Sequence, residues 1–140
     1  MKVGKPGKVI VERFRKGEDV LDRLNQLVRE NGITAGSFTA LGALEKASVG
    51  FFSGNGRYSA VASRGPMEVA SCVGNVSLKD GKPYTHAHIV TADKEGNAYG
   101  GHLLEGCIVS ATFEVTMLVY DGMTLSRKLD SGTGLFLLDA

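Results

Sequence analysis

The apolar positions of this chain change period once. Between residues 18 and 30, Val20, Leu21, Leu24, Leu27 and Val28 fall at i, i+1, i+4, i+7 and i+8. That is one stripe at the 3.6-residue period, and it predicts an amphipathic helix. Glu18 and Asp19 fall in its first turn, where negative charge suits the helix dipole, and Asn31-Gly32 supplies a left-handed stop. Residues 8–15, ahead of the helix, alternate imperfectly and read as a strand buried on parts of both faces.

After the helix the period is two. Strands are predicted over residues 35–43, 47–53, 58–62, 67–78, 84–92, 98–104, 108–120 and 135–138. Turn chemistry separates them at Ser53-Gly54-Asn55-Gly56-Arg57, Ser63-Arg64-Gly65-Pro66, Lys79-Asp80-Gly81-Lys82, Asp93-Lys94-Glu95-Gly96-Asn97 and Asp121-Gly122. Residues 108–120 form the longest β-branched apolar stretch and belong inside the sheet. One helix against a mostly antiparallel sheet is an α+β class, and 140 residues make one domain.

Composition narrows the function. Apolar residues at 43% and charged residues at 22% are ordinary for a globular domain. Sixteen basic against fifteen acidic residues give a net charge of +1, which argues against a dedicated electrostatic nucleic-acid binder. Cys72 and Cys107 sit in apolar strand-like runs without a CxxC spacing, so they read as small buried hydrophobes. The first residues carry no apolar signal-peptide core, and no run of about 18 apolar residues predicts a membrane span. The expectation is a soluble cytoplasmic protein.

All three histidines fall in one predicted hairpin, in Thr85-His86-Ala87-His88-Ile89 and Gly100-Gly101-His102-Leu103. His86 and His88 are two apart, so on a strand both rings share a face, with Cα atoms roughly 6.5–7 Å apart. His102 joins that face if the connecting loop has an odd number of residues. A turn centred on Glu95 sets His88 opposite His102, and one centred on Lys94 sets His86 there; a turn centred between two residues sends His102 to the other side. Three converging neutral imidazoles suit Zn²⁺ or another divalent transition metal and leave a fourth position for water, substrate or a further side chain. Gly100 and Gly101 are expected to keep the space beside His102 open.

Other constellations are weaker. A cupin carries a carboxylate ligand shortly after the second His, where this chain has Ile89, Val90, Thr91 and Ala92. An amidohydrolase barrel needs a far longer chain. Asp93 and Glu95 read as a solvated turn. Glu114, between Phe113 and Val115, calls for a partner such as Arg13, Arg15 or Arg64. No nucleophile elbow or phosphate-binding glycine loop is present in the sequence.

The His-x-His strand followed by Gly100-Gly101-His102-Leu103-Leu104-Glu105-Gly106 and a β-branched strand resembles the PPC domain, the plants-and-prokaryotes conserved domain. Phe14-Arg15-Lys16-Gly17-Glu18-Asp19-Val20, Thr39-Ala40-Leu41-Gly42-Ala43-Leu44 and Arg64-Gly65-Pro66-Met67-Glu68-Val69 resemble further segments of that family. The resemblance implies an antiparallel sheet flanked by a main helix and assembly as a homotrimer. It also implies a metal on His86, His88 and His102 in prokaryotic members. In plants the domain accompanies AT-hooks, which bind AT-rich DNA, while the domain itself mediates protein contacts. Arg64-Gly65-Pro66 only echoes the AT-hook core, so a nucleic-acid partner is doubtful.

Two readings follow. One is a trimeric metal-binding interaction module without chemistry of its own. The other is a small metalloenzyme using a metal-bound water, which needs an acid–base group nearby. Glu105, Glu68 or a residue of a neighbouring subunit are the candidates for that group.

Overall fold

The computed structural model describes residues 1–54 and 57–140. The helical stripe folds as α1 (Val20–Glu30), with Val20, Leu24, Leu27 and Val28 buried. Asp19 does not enter the first turn. It is the N-cap, and its Oδ1 accepts from the backbone N–H of Leu21 at 2.9 Å and of Asp22 at 3.1 Å. Its other oxygen accepts from Gly106 N–H at 2.6 Å. One carboxylate therefore ties the start of the helix to the turn that follows the third histidine.

The strands are β1 (Lys5–Arg15), β2 (Gly36–Gly54), β3 (Arg57–Lys79), β4 (Lys82–Ala92), β5 (Ala98–Leu103), β6 (Ile108–Asp121), β7 (Ser126–Leu129) and β8 (Phe136–Asp139). They form one sheet in the order β1-β6-β2-β5-β4-β3-β7-β8, antiparallel except for the β3–β7 contact, and β2 also pairs with β3. Since β2 meets β3 on one edge and β5 on the other at Val49–Gly50, the strands β2, β3, β4 and β5 close into a ring. The α+β class holds, and β6 lies inside the sheet between β1 and β2.

Two predicted breaks are not breaks. β2 runs through Leu44-Glu45-Lys46, and β3 through Ser63-Arg64-Gly65-Pro66. Leu44 pairs with Met67 and Lys46 with Arg64, so Glu45, Gly65 and Pro66 fall in a register shift of one long hairpin. Proline, which has no N–H to donate, is tolerated at such an irregularity. The turn expected at Ser53-Gly54-Asn55-Gly56-Arg57 includes two residues outside the described ones. The closing strand belongs to a β7–β8 hairpin whose first arm the sequence pattern did not reveal.

The core lies between α1 and the inner face of the sheet. Phe14, Leu24, Leu44, Ile89, Leu103, Val109, Phe113 and Met117 are buried in it. The Phe14 and Phe113 rings stack across the β1–β6 pair at 5.7 Å between centroids. Both cysteines are buried and free, and burial, then Cys107, pushes the Cys72 thiol up to about 12. Glu114 points outward instead of needing a buried partner. It stands opposite Arg13 in register and accepts from Thr112 Oγ1 at 3.3 Å.

Asp19 generates a stability prediction. Asp19→Ala removes the cap and the bond to Gly106, and it is expected to lower the unfolding free energy by about 2 kcal/mol in urea melts. Asp19→Asn keeps the cap through Oδ1, but its Nδ2 cannot accept from the Gly106 N–H, so it is expected to lose about half of that.

Candidate metal centre

On β4 the side chains of Thr85, Ala87, Ile89 and Thr91 are buried, so His86 and His88 stand on the outer face. Asp93 fixes what happens next. Its Oδ1 accepts from the N–H groups of Glu95 at 3.0 Å and Asn97 at 2.8 Å, and its Oδ2 accepts from Asn97 Nδ2 at 3.1 Å. Asp93 and Asn97 also pair through their backbones, and Gly96 takes φ +83°. These hydrogen bonds, led by the one from the Asn97 side chain, hold the Asp93 carboxyl below its ordinary value. The turn is therefore centred on Glu95, and His88 stands directly opposite His102.

The three rings meet. Centroids are 5.3 Å apart for His86 and His88, 4.9 Å for His86 and His102, and 5.6 Å for His88 and His102. One nitrogen from each lies within 4.8 Å of the other two. A tetrahedral zinc with bonds of about 2.0–2.1 Å needs nitrogens about 3.4 Å apart, so small side-chain rotations draw the trio in. His102 Nδ1 is buried without a hydrogen-bond partner, an orphaned lone pair or N–H of the sort a metal site resolves. The residues fit a divalent metal, and such a metal would have a fourth position for a water or a ligand.

The electrostatics favour neutral rings. Burial, then Arg127, His102 and His88, lowers the His86 pKa to about 4. Burial, then His88 and Arg127, lowers that of His102. Neutral imidazole is the form that ligates a metal.

Arg127, on β7, is the site residue that sequence reasoning missed. Its Nε donates to Ser77 Oγ at 2.9 Å and its Nη1 to the Phe136 carbonyl at 3.0 Å. Its Nη2 donates to Asn75 Oδ1 at 2.9 Å and to His86 Nδ1 at 3.2 Å. A guanidinium has no acceptor, so His86 Nδ1 offers its lone pair to Arg127. A metal held at that nitrogen would compete with the Arg127 N–H, and one held at Nε2 would require loss of the ring proton. Tyr58 also reaches the site, its ring 4.9 Å from that of His102.

The other expected residues take other roles. Gly100 and Gly101 do not clear space beside His102. A Cβ on Gly100 would lie 2.7 Å from the Ile89 carbonyl, and one on Gly101 would lie 2.8 Å from the Gly50 carbonyl. They let β5 fit between β4 and β2. Glu68 pairs with Ala92, four residues along β4 from His88, which is about 13 Å at strand rise. Glu105 is exposed in the turn beyond β5. Among the described residues no carboxylate joins the group of ligand atoms around the trio.

Comparison with known proteins finds solved structures that match along the whole chain. The metal-containing protein AF0104 of Archaeoglobus fulgidus is 34% identical, with full coverage of both chains and a TM-score of 0.89. A plant- and prokaryote-conserved protein of Pyrococcus horikoshii is 29% identical, with a TM-score of 0.88 over 98% of this chain and 96% of that one. The bifunctional protein GlmU of Synechococcus sp. (strain JA-2-3B'a(2-13)) is 29% identical over 128 residues. That match covers 91% of this chain and only 19% of GlmU, so the chain spans about a fifth of that relative's length. The model of the Plants and Prokaryotes Conserved (PCC) domain matches residues 1–121, and the chain belongs to that family.

Proposed function

We propose that this protein is a metal-holding binding module in which His86, His88 and His102 bind one divalent transition metal, zinc before others. The convergence of three imidazoles on one face, two of them with lowered pKa, carries the reading. The description of the Archaeoglobus relative as metal-containing supports it. The metal's fourth position would hold a ligand or a partner group. A metalloenzyme is the second reading, favoured by a cavity that reaches His86 and His102. Among the described residues no acid–base carboxylate lines that cavity, which sets the binding module first. A net charge of +1 gives DNA association no support.

We further propose assembly as a homotrimer, with the chain itself as the first partner. Val73 and Val90 are exposed on the face that bears His88, and Phe52 and Tyr58 are exposed beside His102. Large apolar side chains grouped around a polar site suit a subunit contact. No helix among the described residues is long and apolar enough to cross a membrane.

Metal analysis of purified protein is expected to give about one metal per chain, as a three-ligand site with one open position implies, and almost none in the His86→Ala, His88→Ala double variant. Equal content in both would remove the site.

Sedimentation at micromolar concentration is expected to give three times the chain mass of 14.8 kDa. A monomer at that concentration counts against the assembly.

The metal-free protein carries a pH signature. Unfolded His86 takes up a proton near its ordinary value of 6.5, whereas folded His86 resists it until about 4. Its contribution to stability is therefore present above 6.5 and lost as pH falls toward 4. Chelator-treated protein is expected to lose more stability across that window than its His86→Ala variant, as read by urea midpoints at each pH.

A further inference from the structure

Beside the imidazole trio, the β7–β8 hairpin roofs a cavity of about 350 Å³. Tyr58, Lys79, Tyr84, His86, His102 and Arg127 line it, together with residues 134–137 of the hairpin. Its charges are of one sign. Lys79 and Arg127 both line it, and among the described residues no acidic side chain does. Neither cation forms an ion pair with a carboxylate among the described residues. Lys79 Nζ has no oxygen partner there. It rests over two rings instead, 4.2 Å from the centroid of Phe136 and 5.4 Å from that of Tyr84.

The donor count sets the size of the anion. Arg127 has five N–H groups, and its four hydrogen bonds leave one N–H of Nη1 free. Lys79 contributes its three. Two donor centres match the two oxygens of one carboxylate. Inorganic phosphate would leave Leu135, Phe136 and Leu137 of the wall uncovered, where an organic acid covers them. Leu135, Phe136, Leu137 and the rings of Tyr58 and Tyr84 give the wall an apolar part that suits a hydrocarbon body, beside the tyrosine hydroxyls and imidazoles. A volume of about 350 Å³ stands near the lower end of small-molecule sites.

We propose that this cavity binds a small organic monocarboxylate, its carboxylate held by Lys79 and the free N–H of Arg127 and its body lying between Tyr84, Phe136 and the face of the imidazole trio. The two cations hold the anion whether or not the histidines carry a metal, so the proposal stands apart from the metal reading. A metal on the trio adds positive charge to the same cavity and strengthens the attraction.

Calorimetric titration with benzoate, with benzamide as its uncharged counterpart and with inorganic phosphate tests this on both chelator-treated and zinc-loaded protein. Benzoate is expected to bind both forms, at least about tenfold more tightly than benzamide, the worth of a charge-assisted hydrogen bond. Lys79→Met keeps a flexible chain over Phe136 and removes the charge. It is expected to weaken benzoate by about tenfold and to leave benzamide affinity, metal content and urea midpoint unchanged. Equal affinity for benzoate and benzamide overturns the proposal. So does a Lys79→Met variant that folds normally and binds benzoate as before. Phosphate binding more tightly than benzoate overturns the carboxylate assignment. Loss of zinc binding with benzoate binding intact fails the metal reading alone.

Discussion

The position of the third imidazole rests on the length of one loop. Between β4 and β5 stand five residues, Asp93 to Asn97, and the odd number centres the hairpin on a residue. Side chains on a strand alternate faces, so a loop one residue longer or shorter would place His102 across the sheet from His86 and His88. Asp93 is what makes this length a fixed one. Its carboxylate gathers two backbone N–H groups and the Asn97 amide, and Gly96 supplies the left-handed residue that closes the turn. An aspartate outside the ligand trio therefore decides whether three ligands share a face.

What the rings then experience is cationic crowding. His86 is half-buried, and the Arg127 guanidinium donates to its Nδ1. Both effects resist a second positive charge on the ring, and they keep it neutral and able to ligate. The same guanidinium also opposes a metal, since two positive charges compete for one lone-pair region. An anion nearby relieves that repulsion. Metal and anion are therefore expected to support each other's binding, a coupling that runs in both directions by thermodynamic linkage.

Parts of this were legible in the sequence because they depend on local periodicity. The helix stripe from Val20 to Val28, the shared face of His86 and His88, and the odd-loop condition for His102 all follow from spacing alone. The continuity of β2 and β3 was not legible. Leu44-Glu45-Lys46 and Arg64-Gly65-Pro66 carry the residues of turns, yet the long hairpin absorbs them as a shift in register because its flanking pairs hold the ladder on both sides. Arg127 was hidden for another reason. β7 has four residues, Ser-Arg-Lys-Leu, too few and too polar to show a period, and its partners Asn75, Ser77 and His86 lie 41 or more positions away. Glu68 shares the histidine face by register parity but sits far along the strand; parity gives side and not distance.

Along β4 the two tasks of this protein are interleaved. Thr85, Ala87, Ile89 and Thr91 face the core, and His86 and His88 face outward between them. Removing the exposed His88 ring takes no apolar contact from the core, and surface substitutions of that kind typically change stability by about 0.5 kcal/mol or less. Enlarging Ala87 has the opposite character: the residue is buried between the two ligands, and extra volume there moves the backbone that carries both. Binding and folding therefore use different side chains of the same strand. What joins them is its register, which the core sets on one face and the trio reads on the other.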